Sequence, residues 1–290
     1  MSLAERIGAA TGAAFVAERR QGVSGGDINR AERLVGRDGR RFFVKFNRAD
    51  RLAMFEAEAD GLDEMLATGA IRVPRPVCCG REGGEAFLVL EYLDLDGRGD
   101  AAELGRRLAA LHGCTQSSFG WRRDNTIGAT PQPNAWLADW IEFLRERRLG
   151  HQLDLARRAG APARLLARGE RLLADLAAFF PGYAPGPSLL HGDLWGGNYG
   201  YADGEPVLFD PAVYYGDREA DLAMTELFGG FPAAFHAAYR EAWALDPGYE
   251  TRKTLYNLYH VLNHYNLFGG GYAGQAERML DRLLAEIRAG

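Results

Sequence analysis

The residues most able to do chemistry lie in one short stretch close to position 200 of this 290-residue chain. His191, Asp193 and Asn198 follow the pattern H-x-D-x-x-x-x-N, and a short apolar run farther along ends at Asp210. A carboxylate can accept the proton of a substrate hydroxyl, and carboxylate and amide oxygens are ligands that suit Mg²⁺. The pattern therefore predicts phosphoryl transfer, with Asp193 as the base and with Asn198 and Asp210 as the ligands of Mg²⁺.

The spacing of these residues decides between a catalytic and a structural interpretation. A single aspartate is common in a turn or at the end of a strand, where its side chain binds nearby backbone N–H groups. Here three positions together match the catalytic loop and the metal-binding aspartate of protein-kinase-like phosphotransferases. We therefore favour the catalytic interpretation, and we assign to His191 the structural support of the loop.

A kinase also needs a lysine on a strand, which binds the nucleotide phosphates, and a helical glutamate, which holds that lysine. Lys45 lies in an alternating run over 41–46 that is typical of a strand. Two glutamates, Glu56 and Glu58, lie on the predicted helix over 53–68. At about 100° per residue, Glu58 falls on the apolar face of that helix and Glu56 points away from it. The sequence predicts an ion pair between Glu58 and Lys45; the alternative is a glutamate at the edge of the face that reaches solvent.

A glycine-rich segment over 22–30 lies between two predicted strands ahead of Lys45. It matches neither G-x-G-x-x-G nor G-x-x-x-x-G-K-[ST], and by itself it is typical of a hairpin turn. Its position allows it to fold over nucleotide phosphates and to offer them backbone N–H groups. The nucleotide contacts predicted in this segment are Ser24, Gly25, Gly26, Asp27 and Asn29.

The apolar run over 88–93 ends the β-rich part of the chain. The backbone of Glu91 and Leu93 would lie where a nucleobase can be recognised, and a buried strand without a ligand is the alternative. We expect these two residues to contact adenine.

Three acidic residues, Asp217, Glu219 and Asp221, open a predicted helix over 218–227. Carboxylates are stabilised at a helix N-terminus, so capping is their ordinary role. Asp221 can in addition brace the catalytic loop by accepting backbone N–H bonds. Asp217 and Glu219 are assigned as acidic substrate contacts, which would favour a cationic ligand.

The elements that must position these residues change along the chain. The first third carries β-like stretches with one helix among them, and strand-like segments recur only near 199–201 and 207–209. This predicts an α+β, protein-kinase-like fold of two lobes, with a small antiparallel sheet and one main helix over residues 1–92 and a larger, mostly helical lobe over residues 93–290. A cleft at the crossing between them would be the expected ligand site. The helices predicted in the second lobe cover 101–111, 134–148, 161–180, 218–227, 232–244, 251–268 and 273–288.

Composition argues against several other classes of protein. Hydrophobic residues make up 47% of the chain, enough for a sizeable core, and 34 Lys+Arg against 39 Asp+Glu give a formal net charge of −5. An overall basic field for nucleic acid is therefore lacking. The three cysteines form neither an even framework nor a zinc spacing, residues 1–15 lack a basic segment followed by an uninterrupted apolar run, and no apolar run has membrane-spanning length. We expect a soluble, cytoplasmic protein that binds neither nucleic acid nor membranes.

The chain resembles the fructosamine (ketosamine) kinases, a branch of the aminoglycoside-phosphotransferase-like, protein-kinase-like fold, over nearly its whole length. The motifs that carry the resemblance are GGDINRA at 25–31, FVKFN at 43–47, MFEAE at 54–58, HGDLWGGN at 191–198 and FDPAVYYGDRE at 209–219. The short pattern HGD-x-x-x-x-N and Asp210 are shared by the small-molecule kinases of this fold. The full forms of the last two motifs are far more particular to ketosamine kinases.

The resemblance implies ATP- and Mg²⁺-dependent phosphorylation of the C3 hydroxyl on the sugar of a ketosamine, such as a fructosamine, ribulosamine or erythrulosamine adduct. The phosphorylated adduct falls apart and restores the amine, so the implied role is deglycation of small amines or of protein lysines. Trp195, beside Asp193, is expected to contact the sugar, because an aromatic face suits sugar C–H groups and a nearby cation. Packing of the loop is the alternative role of Trp195.

Two other functions are compatible with the same residues. A kinase for another small hydroxylated amine, such as an aminoglycoside, would share the segment from His191 to Asp210. A nucleotide-binding pseudokinase is disfavoured, because the lysine, the base and both metal ligands are all present. The sequence is compatible with either a monomer or a homodimer.

Overall fold

The computed structural model describes residues 1–23 and 28–289. The helices in these residues are α1 (Leu3–Thr11), α2 (Leu52–Thr68), α3 (Ala101–His112), α4 (Trp140–Phe143), α5 (Gly150–Arg158), α6 (Ala163–Ala174), α7 (Glu219–Thr225), α8 (Ala233–Ala242), α9 (Tyr249–Phe268) and α10 (Tyr272–Ala289). The strands are β1 (Ala17–Val23), β2 (Arg30–Gly36), β3 (Arg41–Arg48), β4 (Pro76–Glu82), β5 (Glu85–Glu91), β6 (Asn125–Ile127), β7 (Thr130–Gln132), β8 (Ser188–Leu190), β9 (Tyr199–Ala202), β10 (Glu205–Leu208) and β11 (Tyr214–Gly216). No helix within the described ranges combines the length and the apolar character needed to cross a membrane.

The first compact unit consists of Met1–Ala101 together with Asn198–Pro211. Its main sheet has the order β1-β2-β3-β5-β4, and every neighbouring pair is antiparallel. Val44 and Phe46 of β3 belong to a core cluster that also contains Leu3 and Ile7 of α1. Because side chains alternate along a strand, Lys45 points to the opposite face of the sheet.

The second compact unit consists of residues 102–197 and the chain from Ala212 onward. Helix α9 lies at its centre and packs against α5, α7 and α10, with Leu255, Leu258 and Leu262 almost completely buried. Strands β8 and β11 pair in antiparallel register, with Leu190 opposite Tyr214. The predicted catalytic loop lies in the segment between these two strands, and their pairing keeps the two ends of that segment together.

The division into units differs from the predicted boundary between residues 92 and 93. The first unit continues to Ala101 and also takes in the hairpin of β9 and β10, which the prediction placed in the second lobe. Val207 bridges to Arg72, and the Leu208 N–H donates to the Arg72 carbonyl at 3.0 Å. The hairpin therefore attaches to the sheet-bearing unit through its backbone, in a way that the periodicity of the sequence does not reveal.

The helix predicted over 134–148 is wrong at both ends. Residues 134–139 are not helical, and the helix begins only at Trp140, where the Asp139 side chain caps the first turn. The helix then continues through a π-helical stretch, Leu144–Leu149, into α5. Helix α1, whose first turn is fixed by reciprocal hydrogen bonds between Ser2 and Glu5, was not predicted.

Candidate active site

Lys45 lies at the centre of a buried cluster of charges in the first unit. Its Nζ is 2.5 Å from Oε1 of Glu58 on α2 and 2.7 Å from Oδ1 of Asp210. The side chains of Lys45 and Glu58 are only 6% and 11% exposed, whereas that of Asp210 is 44% exposed. The structure therefore contains the predicted ion pair and adds Asp210 to it.

The charges of the two carboxylates determine the protonation state of Lys45. Burial opposes the charged ammonium, but Asp210 and Glu58 outweigh that effect and raise the pKa of Lys45 above its ordinary value. Burial raises the pKa of Glu58, and the Lys45 ammonium opposes that rise. A lysine that stays protonated in this way is suited to bind the oxygens of a phosphate chain.

The hairpin of β9 and β10 positions both predicted metal ligands. Asn198 comes directly before β9, Asp210 comes two residues after β10, and the Phe209 N–H between them donates to the Asn198 carbonyl at 3.1 Å. Asp210 has a φ of 58°, a left-handed conformation that aspartate adopts more readily than most residues. The backbone of the hairpin thus fixes the places of both residues within one unit.

The donor set of Asn198 and Asp210 fits Mg²⁺. One amide oxygen and one carboxylate are hard oxygen ligands, and Mg²⁺ commonly binds to one or two protein carboxylates together with substrate phosphates and water. Among the described residues, no group of three or more His, Cys, Asp or Glu side chains could hold a metal. The two residues therefore match the share of ligands that a protein commonly gives to Mg²⁺.

Four residues of the glycine-rich segment, Ser24, Gly25, Gly26 and Asp27, lie outside the described residues. Asn29 is within them, and its Oδ1 accepts a hydrogen bond from Nδ2 of Asn47 at 2.7 Å. The same Nδ2 contacts the Ile28 carbonyl at 3.2 Å. Asn47 of β3, two residues after Lys45, thus attaches the end of the glycine-rich segment to the strand that carries the lysine, a role that sequence reasoning missed.

The two predicted adenine contacts lie at the end of β5 and just beyond it. The Glu91 N–H donates to the Arg75 carbonyl at 2.8 Å, and Oε2 of Glu91 accepts from the Arg75 N–H at 3.2 Å. Leu93 is half-buried. A nucleobase at this position would therefore have to use the carbonyl of Glu91 rather than its N–H.

The predicted catalytic loop begins where β8 ends, in the second unit. Gly192 has a φ of 82°, and a Cβ at this position would lie 2.1 Å from the Ala212 carbonyl oxygen, so that only glycine fits. The His191 carbonyl accepts from the Ala212 N–H at 2.8 Å. The Asp193 N–H donates to Nδ1 of His191 at 3.2 Å, and the Asp193 carbonyl accepts from the Trp195 N–H at 3.2 Å. Backbone contacts on both sides thus fix the position of Asp193.

Asp221 braces this loop, as the sequence predicted. Its Oδ2 accepts from the His191 N–H at 2.7 Å and its Oδ1 accepts from the Gly192 N–H at 2.8 Å. Nε2 of His112 lies 3.2 Å from the same Oδ2. Burial alone would raise the pKa of Asp221, but His112, His191 and the backbone donor outweigh it and lower that pKa below its ordinary value.

Trp195 is the most exposed aromatic residue of the loop, with 41% of its surface accessible. Its ring lies against the backbone of Gly197, since a Cβ on that glycine would come within 2.2 Å of the indole Cη2. The adjacent Asp193 is half-buried, and its charge adds to the effect of burial in raising the pKa of Tyr259. An aromatic face is thus available beside the predicted base.

Asp217 does not have the position that the sequence analysis gave it. It is fully buried, and its carboxylate accepts hydrogen bonds from the hydroxyls of Tyr183 at 2.9 Å and Tyr256 at 2.5 Å and from the Glu219 N–H at 3.0 Å. The prediction of a substrate contact is therefore corrected to a structural role at the start of α7.

Glu219 is equally enclosed. It is fully buried, and Arg252 of α9 donates to it from Nε at 2.7 Å and from Nη2 at 3.1 Å. Its predicted contact with a substrate is corrected in the same way. The partners Tyr183, Tyr256 and Arg252 belong to no motif that sequence reasoning could recognise, because they come from distant segments.

The fold and these two groups of residues define a protein-kinase-like phosphotransferase. A solved structure described as a putative fructosamine-3-kinase from Haemophilus somnus has a TM-score of 0.89 at 29% identity, over 98% of this chain and 97% of that one. A putative fructosamine-3-kinase from Thermobifida fusca has a TM-score of 0.85 at 31% identity, over 98% and 99%. An amicoumacin kinase shares the fold with a TM-score of 0.60 at 17% identity, over 94% and 90%. The predicted fold class is confirmed.

Sequence comparisons identify the family within this class. The family model described as Fructosamine kinase matches residues 1–286. The chain is 52% identical to a probable ketoamine kinase of Synechocystis sp., over 98% of this chain and 96% of the relative. It is 47% identical to a chloroplastic protein-ribulosamine 3-kinase of Arabidopsis thaliana, over 92% and 83%. The chain belongs to the fructosamine kinase family, as its motifs predicted.

Proposed function

We propose that this protein is a ketosamine kinase, which transfers the γ-phosphoryl group of ATP to the C3 hydroxyl of the sugar in a fructosamine, ribulosamine or erythrulosamine adduct. The observation that carries the proposal is the family match over residues 1–286, within which Lys45, Asp193, Asn198 and Asp210 are all present. The relatives named ketoamine kinase and ribulosamine 3-kinase support this substrate class.

In the proposed reaction Asp193 is the base. The oxygen of the sugar hydroxyl forms a bond to the γ-phosphorus, the bond from that phosphorus to the oxygen of ADP breaks, and the hydroxyl proton passes to Asp193. The braced loop supports this role, because general base catalysis depends on a carboxylate held in a fixed place.

The remaining residues of the first unit would bind the nucleotide. Lys45, kept charged by Glu58, binds the phosphate chain together with the backbone of 24–27 and Asn29, while the Glu91 carbonyl and the Leu93 backbone contact adenine. Asn198 and Asp210 would hold Mg²⁺, and that ion, when bound, neutralises charge on the phosphates.

Trp195 is the residue that we assign to the sugar. Its exposed indole face can pack against sugar C–H groups, and it attracts the cationic amine that a ketosamine carries. Release of the amine after phosphorylation would make the reaction a deglycation. We place this reaction in the cytoplasm, where Cys78, Cys79 and Cys114 would remain outside any disulfide, as they are in the structure.

The test is ADP formation by the purified protein with Mg²⁺, ATP and the ribulosamine and fructosamine adducts of lysine, with phosphorus NMR to locate the new phosphate ester. Asp193→Asn should abolish turnover and leave ATP binding, measured by calorimetry, nearly unchanged. Asp203→Asn is the matched control, because it makes the same chemical change at an exposed hairpin turn and should keep full activity. Chelation of Mg²⁺ should stop the reaction of the unaltered protein.

Three results would contradict the proposal. Turnover of an aminoglycoside panel without turnover of either adduct would keep the kinase chemistry and overturn the substrate class. ATP binding without turnover of any acceptor would favour a pseudokinase. Full activity of Asp193→Asn would remove Asp193 from the role of base.

A further inference from the structure

We infer that His112 is a positioning residue that fixes the Asp221 carboxylate and, through it, the backbone of the loop that carries Asp193. His112 is the last residue of α3 and is completely buried. Its two ring nitrogens lie within hydrogen-bond distance of two different elements, with Nε2 3.2 Å from Oδ2 of Asp221 on α7 and Nδ1 2.8 Å from the hydroxyl of Tyr239 on α8. The effect on catalysis rests on the proposed function, whereas the effect on the loop does not.

The neighbours of Tyr239 determine which ring nitrogen of His112 carries the proton. Nη1 of Arg218 donates to the Tyr239 hydroxyl oxygen at 3.2 Å. A guanidinium has no acceptor, so the single hydroxyl proton of Tyr239 is directed at Nδ1 of His112. Because the Asp221 carboxylate can only accept, the facing Nε2 of His112 carries a proton and donates it to Oδ2. Burial also raises the pKa of Tyr239, which keeps the hydroxyl protonated.

Arg218, the first member of this chain of hydrogen bonds, is itself fixed. Its Nη2 donates to the Ala244 carbonyl at 2.6 Å, and its guanidinium lies 4.1 Å from the centre of the Trp243 ring. The arginine can therefore hold the Tyr239 hydroxyl in one orientation. A fixed series of donors thus leads from Arg218 through Tyr239 and His112 to the carboxylate of Asp221.

Asp221 is the point at which this series meets the catalytic loop. The His191 N–H and the His112 ring both bind Oδ2, and the Gly192 N–H binds Oδ1. Without the His112 donor, the buried carboxylate loses one of these three partners and becomes free to turn about its terminal torsion. Both backbone N–H groups would then lose alignment, and Asp193 is the next residue along the chain. The histidine thus acts on the base without any need to touch the substrate.

The experiment compares His112→Leu, which removes both nitrogens, with His112→Gln, which keeps an N–H donor near the place of Nε2. His236→Leu is the matched control, because it makes the same change at a half-buried histidine of α8. Hydrogen exchange of the backbone amides over 190–194 is measured in all four proteins under native conditions. We expect His112→Leu to speed exchange of the His191 and Gly192 amides about tenfold or more, the effect of one lost hydrogen bond to a charged group. In His112→Gln and in the control, the exchange rates of these two amides should stay within about threefold of those in the unaltered protein.

Kinetics on a ketosamine supply the second measurement. His112→Leu should lower kcat about tenfold and leave the KM for ATP nearly unchanged, and His112→Gln should restore most of kcat. Loop exchange in His112→Leu equal to that of the unaltered protein would overturn the inference, and so would a glutamine variant as impaired as the leucine variant. If the unaltered protein does not phosphorylate any ketosamine, the proposed function fails, while the exchange data still decide the role of His112.

Discussion

The ammonium of Lys45 lies 2.7 Å from Oδ1 of Asp210, although 165 positions separate the two residues in the chain. This contact joins the predicted phosphate-binding cation to the predicted metal-binding carboxylate within one compact unit. Because Glu58 also binds Lys45, loss of the Asp210 contact would still leave the buried ammonium paired. If Asp210 turns from Lys45 to another partner, Glu58 still neutralises the lysine. The protein then avoids the free-energy cost of an isolated buried charge.

Glu58→Gln should therefore weaken the nucleotide site. The variant leaves Asp210 as the one ionised partner of Lys45, so we expect the KM for ATP to rise and kcat to fall, with kcat/KM reduced about tenfold or more, as for loss of one charge-assisted hydrogen bond. Steady-state kinetics at varied ATP concentration measure the effect. Glu56→Gln, two positions earlier on the same helix, is the control and should remain within about twofold of the unaltered protein, as expected for a substitution outside the ion cluster. Equal losses in the two variants would contradict the special role of Glu58.

Gly192→Ala should destabilise the second unit. The substitution places a side chain in the left-handed conformation and brings its Cβ against the Ala212 carbonyl, so we expect a loss of about 2 kcal/mol or more in the free energy of unfolding. Urea unfolding followed by circular dichroism measures it. Gly186→Ala, at an exposed glycine with open space around its Cβ and no positive φ, should be neutral. A stable and fully active Gly192→Ala would show that the loop has another accessible conformation.

Gly197→Ala should disturb Trp195 without disturbing the core. The new Cβ would displace the indole ring, which is the movable partner in this contact, and both residues are exposed. We expect the KM for the ketosamine to rise about fivefold or more, in the range of one lost aromatic contact, with the KM for ATP unchanged. Trp195→Leu should give the same pattern, and Trp136→Leu, at a similarly exposed tryptophan, should not. An unchanged KM for the acceptor in both variants would assign Trp195 to packing of the loop.

Stability should depend on the protonation of Glu219. Burial raises its pKa to about 7 in spite of Arg252, whereas the ordinary value is 4.5. Between these two values the folded protein holds a proton that the unfolded chain has lost, so the free energy of unfolding falls as pH rises through this window and levels off above it. The contribution cannot exceed about 1.4 kcal/mol per pH unit for one proton.

Urea unfolding at intervals from pH 4.5 to 8 checks this dependence. Glu219→Gln should have a flatter curve than the unaltered protein over the whole window. Glu250→Gln changes an exposed glutamate of α9, and its curve of unfolding free energy against pH should run parallel to that of the unaltered protein. Parallel curves for all three proteins would contradict the prediction.

Local pattern was enough to predict the partner of Lys45. The helical periodicity of the α2 sequence predicts its apolar face, and Glu58 is the glutamate that falls on this face. The partners of Asp217 and Glu219 could not be found in this way, because Tyr256 and Arg252 lie more than thirty positions away on α9. The ordinary preference of acidic residues for a helix start gave no sign that these two would be enclosed, so the sequence supported an assignment to substrate that the structure corrects.

The role of His112 could not be predicted from the sequence for the same reason. Nothing in the residues around it distinguishes this histidine from one at any helix end, and its importance depends on Asp221 and Tyr239, which are 109 and 127 positions away. Asp221 could be predicted, because a carboxylate near the catalytic loop has backbone N–H groups to bind. Sequence motifs thus identify the residues expected to contact the reactants. The residues that position them can be identified only from the tertiary fold.

The first compact unit is discontinuous, and this has a consequence for how the protein is made. A ribosome completes Lys45 and Glu58 early, but Asp210 and the hairpin that carries it leave the exit tunnel only after most of the second unit has been synthesised. During that interval the nascent unit lacks the strand that bridges to Arg72 and one of the two carboxylates that neutralise Lys45. The first compact unit of this kinase therefore reaches its final form only late in translation, although most of its residues precede the second unit in the chain.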